Sequence, residues 1–482
     1  MNSRIILLFF LVCTSVAVRS QDTWNLKRCV EHAMANNPAV AQTAIQAKIS
    51  ALNKRQQEMA RIPTLSAGTS MAFNSGNNQD PTTFVRVTQN YLSAGMQLQS
   101  SAEIFNFYRQ RLAITSASWE LMASQASVDK VRNDIALSTA NAFLQVLLAE
   151  EQVKIAAVQI VQTTKQLEQI RKRVAAGTLP ELNATQLEAQ LAQDSSNLIT
   201  AKGSSVQSVL LLKQWMNLDP SVPFEAEKPD PSLIPMESIS DLQPEYVLQE
   251  ALKNQPQQQV NQFRLKAAEY ASKSANAARM PVISAFASLG TSYLAFEKRP
   301  LYERILSGYQ PTGFIVDANG VQYDVQAPIF TNGPVAGYLR SGAFFNQLET
   351  NFRKAVGLSV NIPILNGGST RMAYERSKLN IQSVKVQQQQ DEQKLKQDIY
   401  QAYQAALVAM QRFHAAEKSV EVNEKAYAFA TRRLEIGALS TYDWITTQNN
   451  LLRARLERSL NQVDYVFKMK VLEFYKGKGL KL

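Results

Sequence analysis

Apolar side chains return at steps of three, four or seven residues in two long stretches of this chain, and alternate with polar ones in four short stretches. The first long series runs through Val131, Ile135, Ala142, Val146, Ala149, Val153, Ala156, Ile160, Leu167, Ile170 and Val174. The second runs through Leu395, Ile399, Ala402, Ala406, Ala409, Phe413, Ala416, Val420, Tyr427, Ala430 and Leu434. Both are heptad seams, the pattern of helices that pack along their length. Neither glycine nor proline occurs from 100 to 176 or from 369 to 436. With both helix breakers absent, the pattern predicts two uninterrupted helices of about 70 residues, each roughly 100 Å long. Many seam positions are alanine, which lets helices approach closely. A second stripe, Phe143 with Leu147 and Tyr403 with Leu407, gives each helix two neighbours, as a closed ring of helices requires.

Each long helix ends at a tight turn, Ala176-Gly177-Thr178-Leu179-Pro180 and Ile436-Gly437-Ala438-Leu439-Ser440. Glycine supplies the left-handed cap, and the chain returns as antiparallel helices near 181–216 and 441–475. Two more helices are expected upstream, near 26–60 and 244–279. Each of these four spans about 35 residues, near 53 Å, so two end to end match one long helix. That agreement predicts a uniform hollow cylinder with a partly continuous, partly spliced wall. The turns themselves are apolar tips at the end of a rigid tube, suited to docking another helical tip.

The alternating segments lie between the upstream and long helices. Leu65, Ala67, Thr69, Met71 and Phe73 alternate with Ser66, Gly68, Ser70 and Ala72, and Leu92, Ala94, Met96 and Leu98 with Ser93, Gly95, Gln97 and Gln99. Ile283, Ala285, Ala287 and Leu289 form a third row; Val356, Leu358, Val360 and Ile362 alternate with Gly357, Ser359 and Asn361. Strands of about 9–11 residues, apolar on one face and small or polar on the other, are the signature of a transmembrane barrel. Four strands cannot close a barrel in lipid, where an open edge is prohibitive, so the chain must lend them to an oligomer. Phe73, Phe84, Tyr91, Tyr293 and Phe296 are either interfacial girdle residues or fillers of loops and barrel interior.

The chain also states its plan twice. Ala33, Asn36, Pro38, Lys48, Arg61, Pro63, Ser66 and Ala67 recur 218 residues later as Ala251, Asn254, Pro256, Lys266, Arg279, Pro281, Ser284 and Ala285. Asn106, Arg111, Arg173 and Gly177 recur 260 residues later as Asn366, Arg371, Arg433 and Gly437. The two spacings differ by 42 residues, an insertion in the second copy. The organisation expected is a signal peptide at 1–20, a first repeat at 21–217, a proline-rich linker at 218–243, a second repeat at 244–476, and a tail at 477–482. Each repeat reads helix, two strands, long helix, return helix, with an inserted loop at about 298–349 in the second.

Composition narrows the function. Arg4, the apolar run from Ile5 to Val12, and Val18-Arg19-Ser20 read as a secretory signal too short to span a bilayer. Of the two cysteines, Cys13 lies in that signal behind the bulky Val12, a poor lipidation site, and Cys29 has no disulfide partner. The formal charge of +11 is spread along helices and mixed with acids, which reads as solvated faces and not a nucleic-acid surface. His32 and His414 are the only histidines, and no nucleotide loop, metal-ligand spacing or nucleophile motif is present. The reading is of a chain that is not an enzyme and carries no cofactor.

With the duplicated Asn-x-Pro helix opening, the Arg-x-Pro before each strand pair, Asn106 and Asn366 after it, and the paired glycine turns, the chain resembles the TolC family of outer-membrane channel-tunnels. The resemblance implies an α+β membrane protein: a homotrimer whose protomers give four strands each to a 12-stranded β-barrel on a long α-helical barrel. It implies a passive exit duct for drugs or small molecules in the outer membrane, reaching into the periplasm. Its partners would be a periplasmic adaptor and an inner-membrane pump of resistance-nodulation-division or ABC type, with outer-membrane lipid around the barrel. Type I protein secretion is the alternative within the family, and a secreted coiled-coil envelope scaffold the alternative outside it. Family gate acids would fall at Asp443, Thr446 and Asn183, of which only Asp443 is acidic; Asp443 reads equally as an acid serving the helix N-terminus. The adaptor would dock on Gly177, Thr178, Leu179, Gly437, Ala438 and Leu439.

Overall fold

The computed structural model describes residues 23–79, 86–228, 236–436 and 438–477. The expected signal with Cys13, and Phe84, Pro229, Pro231, Pro235, Gly437 and most of the tail, lie outside the described residues. The chain forms two compact units, one from the residues up to 55, 113–272 and 375 onward, the other from 56–112 and 273–374.

The first unit is helical. It holds α1 (Leu26–Asn36), most of α2 (Pro38–Met59) and of α3 (Arg109–Ala175), and α4 (Glu181–Met216). It continues with α5 (Pro244–Asn254), most of α6 (Pro256–Ala277) and of α8 (Ser369–Glu435), and α9 (Thr441–Tyr475). The long helices α3 and α8 are 67 residues each, as the glycine- and proline-free windows require. Their seams are covered: Ile135, Ala142, Val146, Ala156 and Leu167 are buried on α3, and Ile399, Ala406, Ala409, Ala416, Val420 and Ala430 on α8.

The upstream helices differ from the expectation of one 35-residue helix per copy, because each breaks at its proline. Pro38 and Pro256 have no N–H to continue a helix and hold the preceding residue extended, with ψ of 128° at Asn37 and 131° at Gln255. That residue is put to use. The Asn37 amide donates to the Trp215 carbonyl at 2.8 Å, and the Gln255 amide to the Tyr475 carbonyl at 3.0 Å. Each break thus satisfies orphan carbonyls at the end of a return helix. Cys29 and Ala33 in one copy, and Val247 and Ala251 in the other, are fully buried in equivalent core clusters. Burial pushes the Cys29 thiol up to about 12, so it is inert packing.

The linker's described part is anchored. Trp24 donates to the Glu225 carbonyl and accepts from Glu227, both at 2.9 Å, while the buried Lys213 ammonium donates to the carbonyls of Pro220 and Val222 at 2.8 and 2.6 Å. Exposed charges pair along helices as their mixing suggested. Glu421 accepts from Lys418 and Lys425, which hold its carboxyl down at about 2.

The second unit is built on an antiparallel sheet of β1 (Thr64–Gln79), β2 (Arg86–Phe105), β3 (Val282–Phe296) and β6 (Arg353–Asn361), in the order β1-β2-β3-β6. Three of the strands exceed the expected 9–11 residues. The stretch at 298–349 is not a loop. It contains a second antiparallel pair, β4 (Arg299–Ala318) and β5 (Val321–Leu339), and a short helix α7 (Phe344–Thr350). Asn319 and Gly320, with φ of 55° and 81°, make the left-handed two-residue turn that joins them.

Helix α7 solves a length mismatch, since β6 covers β3 only from Val282 to Gly290. Beyond it the Gln347 side chain behaves as a strand residue, accepting from the Leu294 amide at 2.9 Å and donating to the Leu294 carbonyl at 2.8 Å. Gln347→Ala leaves both groups unpaired and should lower stability by about 1–2 kcal/mol. Hydrogen exchange at Leu294 should accelerate, which mass spectrometry of the detergent-solubilised protein checks.

At the β2–α3 junction Phe107 and Tyr108 are both left-handed, with φ of 49° and 63°. The equivalent pair before α8 is Gly367 and Gly368, at 64° and 76°. The same turn is therefore built twice, with strain of about 1–2 kcal/mol per residue only in the first copy.

Candidate functional site

Strand register sorts the sheet into two chemically distinct faces. Directly opposed residues of antiparallel strands share a face. The rows Met71–Ala94–Tyr293, Ala67–Leu98–Leu289 and Ala102–Ala285–Leu358 lie on one side. So do Leu65, Phe73, Met96, Ala287, Val356 and Val360, with Lys354 as the one charge that β6 places there. The other side carries Ser66–Gln99–Ser288–Ala355, Gly68–Gln97–Gly290–Arg353 and Glu103–Ser284–Ser359. All four expected alternations thus converge on one apolar surface, and that surface is bare: Val356 is 86% and Leu358 69% exposed. Free edges remain on β1 and β6, the outer strands of the order. Among the aromatic candidates, Phe73 and Tyr293 lie on the apolar face, whereas Tyr91 and Phe296 oppose each other on the polar one.

The helix tips of the two copies share a capping bond. Gly177 has φ of 73°, its N–H reaches the Val174 carbonyl at 2.9 Å, and the Thr178 N–H reaches Arg173 at 3.0 Å. These are the two bonds of a Schellman motif. In the second copy the Ala438 N–H reaches Arg433 at 2.8 Å, the equivalent outer bond. Thr178 and Ala438 are exposed, but Leu179 and Leu439 are half-buried. The bare apolar side chains are Ile436, 77% exposed, and Leu182, 63% exposed, which sequence reasoning missed. Behind the tips, the Thr163 hydroxyl donates to buried Asp194 at 2.6 Å, joining α3 to α4, and Trp444 Nε1 donates to Thr431 at 3.0 Å, joining α9 to α8. A cleft of about 820 Å³ opens between α3, α4 and α9, lined by Gln159, Gln190, Arg453 and Glu457.

Of the gate candidates, Asp443 lies in the first turn of α9. Its N–H donates to Ser440 Oγ at 3.1 Å, and the Ser440 hydroxyl donates to its carboxylate at 2.6 Å, so Ser440 is the N-cap and Asp443 stays exposed beside it. Thr446 is exposed one turn later, and Asn183 is half-buried in the first turn of α4. His32 packs edge-on against Trp24 at 5.4 Å, and His414 faces Glu417 at 3.3 Å. Among the described residues no three His, Cys, Asp or Glu side chains converge to hold a metal.

The chain matches one family model, described as outer membrane efflux protein, over residues 29–218 and 352–468. The chain belongs to the outer membrane efflux protein family. Members of this family are outer-membrane channels of efflux systems. The stretch between the two matched spans holds β3 and the β4–β5 pair.

Solved structures show the same fold over nearly the whole chain. The outer membrane protein VceC from Vibrio cholerae is 17% identical, with 95% of this chain and 97% of that one covered at a TM-score of 0.69. The Campylobacter jejuni CmeC outer membrane channel is 17% identical over 94% and 85%, at 0.68. The Neisseria gonorrhoeae MtrE outer membrane channel, in its open state, is 17% identical over 95% and 89%, at 0.67. No curated protein matches the chain.

Proposed function

We propose that this efflux protein is the exit duct of a tripartite export system, working as a homotrimer with a 12-stranded barrel, without chemistry of its own. The carrying observation is the bare apolar sheet face bounded by the two open edges of β1 and β6. An open edge in hydrocarbon costs several kcal/mol per unpaired group, so pairing of β6 with the β1 of the next protomer is the economical closure. The helices support the same reading. Val408, Val422 and Phe429 leave an exposed stripe on α8 at multiples of seven residues, as do Ile199 and Val206 on α4. Exposed heptad stripes are seams awaiting another helix.

Energy comes from an inner-membrane pump, reached through a periplasmic adaptor that docks at the tips and the adjoining cleft. The test is fractionation with unboiled gel mobility. A heat-modifiable trimer in the outer membrane supports the duct; a soluble extended dimer overturns it in favour of an envelope scaffold. Deletion should raise cellular retention of small amphiphilic compounds, whereas loss of a secreted polypeptide alone would assign the duct to protein secretion.

Asp443 adds a gate in this reading. Three copies around the axis would repel anions and gather cations. Asp443→Asn should weaken cation preference and block by multivalent cations in planar-bilayer recordings. Unchanged selectivity, with a stability loss of about 0.3–1 kcal/mol, would leave only the role of an acid at the helix N-terminus.

A further inference from the structure

Charge is almost absent from the polar face of the sheet. Within the four-strand register that face carries two ionised side chains, Glu103 and Arg353. Glu103 is occupied, accepting from Arg109 at 2.8 Å and from the Asn106 amide at 2.9 Å. Arg353 is exposed, and no carboxylate of the described residues pairs with it. It opens β6, eight residues before Asn361, so it stands about 27 Å along the strand from the connection to α8.

Its surroundings leave the guanidinium room. The row it joins reads Gly68–Gln97–Gly290–Arg353, so the position directly opposite has no side chain. A Cβ at Gly290 would meet only the Met96 carbonyl oxygen, at 3.5 Å, and one at Gly68, at the far end of the row, nothing within 4 Å. The result is a trough of about 560 Å³ with a glycine floor, edged by Ser70, Gln97, Ser292, Asn351 and Arg353. Asn351 is fixed by donating to the Ser292 carbonyl at 2.8 Å, which anchors the backbone just before Arg353. A planar fork of donors beside neutral hydroxyl and amide groups, with no competing carboxylate, is the chemistry that recognises carboxylate or phosphate.

We infer that Arg353 forms an anion-binding step inside the barrel, a transient site for carboxylate- or phosphate-bearing solutes near its outer mouth. The inference rests on the duct reading, which turns the polar face toward the lumen and brings three copies of Arg353 around one axis. A solute leaving the duct would then meet a positive ring, whatever the sign of the charge at the helical tips.

The neighbouring Lys354 supplies the control. It carries the same charge one residue on, but on the apolar face opposite Leu289. The full-length protein in a planar bilayer, under a KCl gradient, should show its potassium-over-chloride permeability ratio rise about twofold in Arg353→Gln at 0.1 M salt, where charges are felt over roughly 10 Å. Lys354→Gln should match the wild type. Citrate should block wild-type current and lose that effect in Arg353→Gln. Unchanged permeability in Arg353→Gln, or an equal shift in Lys354→Gln, overturns the site. Should Arg353→Gln fail to assemble, the wild type decides: no citrate block overturns the inference, and block that persists in Arg353→Lys supports it. A wild type that conducts nothing overturns the duct itself, an outcome distinct from a conducting channel indifferent to Arg353.

Discussion

Leu358→Arg should all but abolish the outer-membrane trimer, while Ser359→Arg should assemble and change only what passes through. The two positions are adjacent on β6 and lie on opposite faces by register, Leu358 opposite Ala285 and Ser359 opposite Ser284. In the proposed duct, Leu358 would point into hydrocarbon. An arginine near the bilayer midplane costs about 2–4 kcal/mol per site, and a trimer carries three. Ser359 shares the polar face with Glu103 and Ser284, where a cation remains hydrated. The measurement is the heat-modifiable band from isolated outer membranes, followed by single-channel conductance. Equal assembly defects in both variants would mean that the exposed apolar face does not meet lipid.

The second large effect is expected at the tips. Leu182→Asp combined with Ile436→Asp should abolish export while leaving trimer level and heat stability at wild-type values. Both side chains are largely exposed within the protomer, so a carboxylate there desolvates nothing unless a partner covers it. The pairing Leu179→Asp with Leu439→Asp tests something else. Those leucines are half-buried within the protomer, so their replacement should lower heat stability as well as export. Drug accumulation and the melting temperature of the purified trimer separate the two sets. Wild-type export in the Leu182 and Ile436 double variant would remove the tips as the docking surface.

The helices and the sheet alternation were legible in the sequence because each obeys a period that its own burial enforces. Val146 and Ala406 sit on their seams as spaced, and Leu65 through Phe73 alternate as paired. The β4–β5 pair was illegible for a physical reason. It contains Pro300, Pro311, Pro328 and Pro334, which in a large sheet would each remove a ladder bond. A two-stranded pair has only edges, so its prolines can face outward. Register shifts at Leu306/Gly308 and Pro311/Ile315 further scramble the alternation. The dipeptide Asn319-Gly320 was the signal available, flanked by Val316 and Ala318 on one side and Val321 and Tyr323 on the other. At the candidate site the turn glycines were legible, but the exposure of Ile436 and Leu182 was not, because spacing cannot say which apolar residues the protomer covers for itself. Asp443 suited two roles in sequence, and only coordinates could display its bond to Ser440.

Phe107-Tyr108 and Gly367-Gly368 adopt one backbone shape with opposite chemical means. At the second junction the residues themselves permit the shape, so a side chain introduced there meets a conformational barrier. At the first junction the residues oppose it, so the shape must be imposed by what is joined on either side: the strand ending in Phe105, whose ring lies tilted against Phe107 at 4.9 Å, and the helix seated by Asn106. Mutational tolerance is therefore distributed unevenly between two copies of one ancestral segment. One copy holds its bend in its own alphabet, and the other has handed that responsibility to its neighbours, so its two letters matter for what they touch.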